Sequence, residues 1–165
     1  VHDRNAGTHF ATVGGCFVMR DGGGWGSTAF EAPTPQVIPE RAPDAFFDSA
    51  TLAQAGLLYR LTGDRNPLHA DPGLAVIAGF ARPILHGSCT YGTVGRVLLQ
   101  RLCASEPARV QRLDVRFSAP LYPGETLRTE VWALDHGRHA FRCIALERGT
   151  TVLNNGLLQV AGSNT

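Results

Sequence analysis

The sequence predicts an α+β domain in which an antiparallel sheet wraps one long central helix. Three observations point there. A stretch from about Ser88 to Leu102 places Val94, Val97, Leu98 and Leu102 on one helical face. After it, Leu113, Val115 and Phe117 alternate with Arg112, Asp114 and Arg116, the period of a half-buried strand. Three more apolar runs, Leu127 to Leu134, Ala140 to Leu146 and Val152 to Val160, complete an all-strand second half.

Taken in chain order, the first elements read as strand material: Thr8 to Val13, then Cys16 to Met19, with Gly14 and Gly15 as a bulge between them. A connector follows, with glycines at 22–24 and prolines up to Pro43. The glycine run is not a phosphate loop, because the lysine such a loop needs is missing from the whole chain. Gln36 to Arg41 forms a short leading strand. A helix begins at Ser49 or Thr51, where Thr51 and Gln54 have capping-box spacing. Leu52, Ala55, Leu58, Tyr59 and Thr62 supply its periodic face, and Gly63 stops it. Asn66-Pro67 and Asp71-Pro72 each read as an N-cap followed by proline, giving two tight helical turns before the long helix. In the second half, Pro120 to Gly124, Asp135 to Gly137 and Arg148-Gly149 are the turns.

Composition narrows the function. The chain has 165 residues, enough for one self-sufficient core, and a net charge of +1 gives no general case for nucleic acid or membrane partners. All fifteen basic residues are Arg, which excludes Schiff-base and lysine-base mechanisms. Cys16, Cys89, Cys103 and Cys143 lie far apart and match neither a disulfide framework nor structural zinc. His136 and His139 fall at a turn with no neighbouring carboxylate motif, so no metal is expected there. No apolar run nears the roughly 20 residues of a membrane span. No signal peptide opens the chain, and the expected compartment is the cytoplasm. The start at Val1 rather than Met points to a fragment or a processed product.

The chemistry concentrates in Tyr59 to His69. Asp64 and His69 stand five residues apart around Pro67, and Pro83-Ile84-Leu85-His86-Gly87-Ser88 begins fourteen residues later. A carboxylate, an imidazole and a main-chain donor at a helix start are equipment for proton chemistry beside a carbonyl. His titrates near neutrality and suits the activation of water. A glycine amide at a helix N-terminus faces developing negative charge without needing a side chain. Each residue also has a structural reading: Asp64 as a turn residue, Asn66 as an N-cap, His86 as the residue that sets the start of the long helix. Phe117 shares a strand face with Leu113 and Val115, so it serves either the core or a ligand. Arg65 and Arg82 flank the motifs and either meet ligand phosphates or are simply solvated.

Gly63-Asp64-Arg65-Asn66-Pro67-Leu68-His69 and Pro83-Ile84-Leu85-His86-Gly87 resemble the signature of the hydratase 2 family, the MaoC-like (R)-specific enoyl-CoA hydratases. The similarity runs over about 37–161 and implies the hotdog fold, in agreement with the derived order. It implies Asp64, His69 and Asn66 as catalytic residues around a water, and Gly87 as donor to the thioester oxygen. Phe117, Arg65, Pro67 and Leu68 become substrate-side residues. It also implies no cofactor, a CoA or acyl-carrier-protein thioester as substrate, and pairing with a second hotdog, either as a homodimer or otherwise.

Some relatives of that kind carry two hotdog copies. Residues 1–36 resemble the end of an N-terminal copy plus its linker, 37–161 the catalytic copy, and 162–165 a tail. Two other functions remain open from sequence: a hotdog acyl-CoA thioesterase, or a non-catalytic acyl-CoA-binding or assembly subunit left by truncation.

Overall fold

The computed structural model describes residues 1–16 and 34–162. The chain divides into two units, Val1–Thr34 and Pro35–Thr165. In the first, the predicted strand over Thr8 to Val13 does not form. An isolated antiparallel bridge joins His2 to His9 instead, around a turn in which the Asp3 carboxylate accepts from the amides of Asn5 and Ala6. Without a strand there is no bulge at Gly14 and Gly15. Most of the expected strand from Cys16 to Met19 and the glycine run at 22–24 lie outside the described residues.

The second unit holds every strand and helix described here. In order these are β1 (Ala45–Ala50), α1 (Ala55–Tyr59), a 3-10 turn at Arg60–Thr62 and another at Pro67–His69. Then come α2 (Pro72–Ile77), α3 (Gly87–Leu102), a 3-10 turn at Pro107–Arg109, β2 (Val110–Phe117), β3 (Thr126–Ala133), β4 (Arg138–Ala145) and β5 (Thr150–Val160). The sheet is antiparallel with strand order β1-β3-β4-β5-β2, and α3 contacts both edge strands. A sheet that curls so far that one helix meets both edges is the expected hotdog.

Thr90, Val94, Val97 and Leu98 are the buried face of α3, at helical spacing along sixteen residues. Val94 and Leu98 pack with Leu127, Val131, Phe141 and Leu153 from the sheet. Burying each such side chain contributes about 1.5–3 kcal/mol. The predicted periodicity located this helix to within a residue.

Two elements differ from expectation. The leading strand is Ala45–Ala50, not Gln36 to Arg41. Pro39 lacks the amide a ladder needs, and the segment is tied down by donors from outside: Trp132 Nε1 to the Arg41 carbonyl and Asn155 Nδ2 to the Gln36 carbonyl, both at 2.8 Å. β1 is anchored instead by the cross-strand pair of Asp48 and Arg128.

The first helix starts at Ala55, because Ser49 belongs to β1 and Thr51 is diverted to the turn before β3. The Thr51 hydroxyl donates to the Glu125 carbonyl and accepts from the Gly124 amide, so no capping box forms. The helix is also less buried than its periodicity suggests: Leu52, Leu58 and Thr62 of the periodic face are exposed, as are Leu57 and Leu61 beside it, while Ala55 and Tyr59 are half-buried. Gly63 does end it, in the left-handed region at φ 114°.

Candidate active site

The segment from Arg60 to Ile77 and the start of α3 build one cluster. Asn66 caps the Pro67–His69 turn as predicted, its Oδ1 accepting from the Leu68 amide at 3.0 Å. Asp71 caps α2 in the same way, accepting from the amides of Gly73 and Leu74. These two Asx-Pro corners fold the chain back so that His69 faces the Ile84–His86 strap. Close packing of α1 against the turn needs Gly56: a Cβ there would lie 2.9 Å from the His69 carbonyl.

His69 Nδ1 lies 2.8 Å from the Ile84 carbonyl oxygen. A carbonyl can only accept, so Nδ1 carries a proton, and in the uncharged form of the ring the lone pair is therefore on Nε2. The buried His86 stacks on the His69 ring, with centroids 3.7 Å apart and planes 25° apart. By the same logic His86 Nε2–H donates to the Asp64 carbonyl at 3.1 Å. Tyr59 also packs against His86, with centroids 4.6 Å apart and the rings tilted by 46°. Burial lowers the His86 pKa; the Asp64 carbonyl acts in the opposite direction and does not cancel it.

Asp64 is exposed in the turn before Asn66, and its carboxylate accepts from the Asn66 amide at 3.3 Å. One ligand-type atom from each of Asp64, His69 and His86 falls within 4.8 Å of the others. The trio does not suit a metal ion. The rings of His69 and His86 stack 3.7 Å apart and 25° from parallel, so their in-plane lone pairs do not converge on one point as the ligands of an ion must. A carboxylate beside an imidazole with a free Nε2 is suited to sharing and moving the proton of a water.

Gly87 is the first residue of α3, where amides have no intrahelical acceptor. It lines an apolar cavity of about 360 Å³ with Phe80, Ile84, Leu121, Val152 and Phe117. The Phe117 ring lies directly over it, 3.4 Å from where a Cβ would be. Phe117 is 53% exposed, which takes it out of the core despite its strand face. A smaller cavity of about 190 Å³ holds His69 with Gly56, Leu57, Arg82 and Pro123. Gly87 and His69 thus line two separate hollows, linked by the hydrogen bond between Ile84 of the first and His69 of the second.

The other candidates divide. Leu68 is half-buried, and Pro67 and Arg65 are exposed. Arg82 is engaged structurally: it donates to the Pro123 carbonyl at 3.0 Å and stacks on Tyr122. His136 sits in the β3–β4 turn at φ 59°, while His139 is half-buried on β4. Two participants escaped the sequence reading. The Ile84 carbonyl left no trace because a main-chain acceptor carries no sequence signal. Tyr59 had a signal, its place at the end of the helix that leads into the motif, but it was read as part of a buried helical face.

Comparison with known proteins gives a consistent result. The family described as MaoC like domain matches residues 36–155. A 3-hydroxyacyl-thioester dehydratase Y of Mycobacterium tuberculosis is 44% identical over 141 residues, covering 85% of this chain and 49% of that protein. A probable enoyl-CoA hydratase 2 of Dictyostelium discoideum is 41% identical over 143 residues, covering 86% of this chain and 49% of that protein. Among solved structures, a MaoC-like dehydratase from Phytophthora capsici superposes with a TM-score of 0.83 at 35% identity, over 87% of this chain and 49% of its own. The chain therefore spans about half the length of these relatives.

Proposed function

The chain belongs to the MaoC-like domain family, and from that premise we propose that it is a hydro-lyase of fatty acyl metabolism, adding water (R)-specifically to trans-2-enoyl-CoA. The observation that carries this reading is the His69 tautomer. With Nδ1–H on the Ile84 carbonyl, Nε2 is free to take a proton from water beside the Asp64 carboxylate. Hydroxide adds to C3 of the enoyl thioester while a proton goes to C2, giving the (3R)-hydroxyacyl thioester. The same steps in reverse are the dehydration.

Asn66 keeps its Oδ1 on the Leu68 amide, which orients its Nδ2 group as a donor at the site. The Gly87 amide, at the positive end of the α3 dipole, is the donor for the thioester oxygen. Phe117, Leu68 and Pro67 form apolar surface along the substrate, and Arg65 is a free guanidinium for its phosphates. In this reading residues 37–161 are the catalytic domain and 1–36 the end of a preceding copy with its linker. A second hotdog, in the simplest case another copy of the chain, covers the exposed apolar side chains of α1 and α2. The setting we propose is the cytoplasm; Cys16, Cys89, Cys103 and Cys143 are free thiols.

The test is loss of the enoyl-thioester absorbance with crotonyl-CoA, with chiral analysis of the product. The (3R)-hydroxy product is expected. Asp64→Asn and His69→Ala should each abolish turnover while circular dichroism stays native. Full activity in either variant, or release of free thiol instead of hydration, would overturn the assignment.

A further inference from the structure

His86 is the buried polar residue at the site that the hydration chemistry above leaves without a role. Its ring is 1% exposed, and its Nδ1 is buried with no hydrogen-bond partner. An orphaned buried acceptor costs stability, and a phenylalanine in the same slot would avoid that cost. Something other than packing therefore accounts for a histidine here.

Its contacts say what. The ring stacks on His69 at 3.7 Å and meets the tilted Tyr59 ring at 4.6 Å. Its Nε2–H reaches the Asp64 carbonyl. The Asp64 turn is exposed, and its other hydrogen bonds are local: Gly63 to Arg60, Asn66 to Asp64, Leu68 to Asn66, His69 to Asn66. Among the described residues, the His86 bond is the one that ties this turn to the start of α3. We propose that His86 is a positioning residue, fixing the ring plane of His69 by stacking, which keeps its Nδ1–H on the Ile84 carbonyl, and the place of Asp64 by its Nε2–H. The inference rests on the reading of Asp64 and His69 as the acid/base pair.

His86 is badly placed to move the proton itself. Its one N–H is committed to a carbonyl, its lone pair is closed off from water, and burial disfavours its charged form. A neutral ring is also what the geometry needs. When His69 takes a proton, an uncharged aromatic face 3.7 Å away accommodates the cation, whereas a second imidazolium would repel it. The charged and titratable groups around the ring are His69, Asp64, Arg60 and Tyr59.

Three variants separate the two contacts. His86→Phe keeps a flat ring and loses the donor, His86→Gln keeps a donor and loses the ring, and His86→Ala loses both. Misplacement by about 1 Å can cost roughly 10²-fold, so His86→Ala is expected to lose about that much in kcat with KM within about twofold. His86→Phe and His86→Gln should each recover about tenfold of it, and His86→Phe should melt no lower than the parent protein. A second readout needs no turnover: in side-chain nitrogen NMR, His69 should be the Nδ1–H tautomer in the parent and revert toward the Nε2–H form of free imidazole in His86→Ala. Unchanged kcat in all three variants, or an unchanged His69 tautomer with losses that track unfolding, overturns the proposal. So does inactivity of His86→Phe and His86→Gln equal to that of His69→Ala, which would make His86 a proton carrier. If the parent protein hydrates no enoyl-CoA, the functional reading fails alone, and the NMR result still decides the positioning.

Discussion

Glu125 and Arg148 show how one residue pair secures the corner next to the candidate site. Glu125 is buried, its carboxylate accepting from the Tyr122 amide at 2.8 Å and from Arg148 Nη2 at 3.0 Å. Burial alone would raise its pKa, but the Arg148 guanidinium and the Tyr122 amide outweigh it and hold the carboxyl below its ordinary value. A carboxyl lowered by folding contributes stability above its unfolded pKa of 4.5, and that contribution is lost as pH falls through the folded value. Urea unfolding should accordingly show this part of the stability intact at pH 7 and declining below about pH 4.5. Arg148→Ala strands the carboxylate, with an expected loss of about 3 kcal/mol at pH 7. A loss below about 0.5 kcal/mol would mean the pair behaves like an ordinary surface ion pair. No spacing in the sequence marks this pair: Arg148 reads as a turn residue, Glu125 only follows the Pro120 to Gly124 turn, and their partnership exists because β3 starts beside the β4–β5 turn.

At the scale of elements, two glycines mark where secondary structures touch. Gly156 on β5 faces Phe141 on β4, and a Cβ would sit 2.6 Å from the ring. Gly156→Ala must move a fully buried aromatic, so a loss of about 1–3 kcal/mol is expected in thermal unfolding. Gly56 is where α1 meets the Pro67–His69 turn. Gly56→Ala would push on the His69 main chain, so kcat should fall at least about tenfold while the melting temperature changes little. Equal loss of both would place the strain in the body of the fold. The long helix and the strands after it were legible in sequence because their periodicity matches burial: Val94, Val97 and Leu98 are buried where the pattern put them. α1 misled because, among the described residues, its apolar side chains find no cover. There Leu57, Leu58 and Leu61 follow helical spacing yet remain exposed.

For the molecule as a whole, that surface matters. Leu57, Leu58, Leu61, Val76 and Ile77 are all exposed on the elements that flank the Asp64–His69 turn. Clusters of this kind are uncommon on monomers. β1 and β2 are the edges of the sheet, one ladder short of a partner on each outer side. With pairing to a second copy, sedimentation should return about twice the 17.7 kDa of one chain. A monomer at micromolar concentration would sink the homodimer and leave a different hotdog as the partner. Among the described residues no helix is long and apolar enough to cross a membrane.

By itself the sequence determined the family signature at 63–69 and 83–87, the long helix, the four later strands and both Asx-Pro caps. Each of these depends on local spacing, which a chain displays before it folds. Tertiary structure alone decided the rest. It moved the first strand to Ala45–Ala50, because strand pairing with β3 outweighs local propensity there. It brought Phe117 over Gly87 instead of into the core. It also set the His69 tautomer, through a main-chain carbonyl fifteen residues away, and placed His86 under that ring. Hydrogen bonds to the main chain and contacts between distant segments have no spacing in sequence to betray them, and they are what orient the side chains of a recognisable motif.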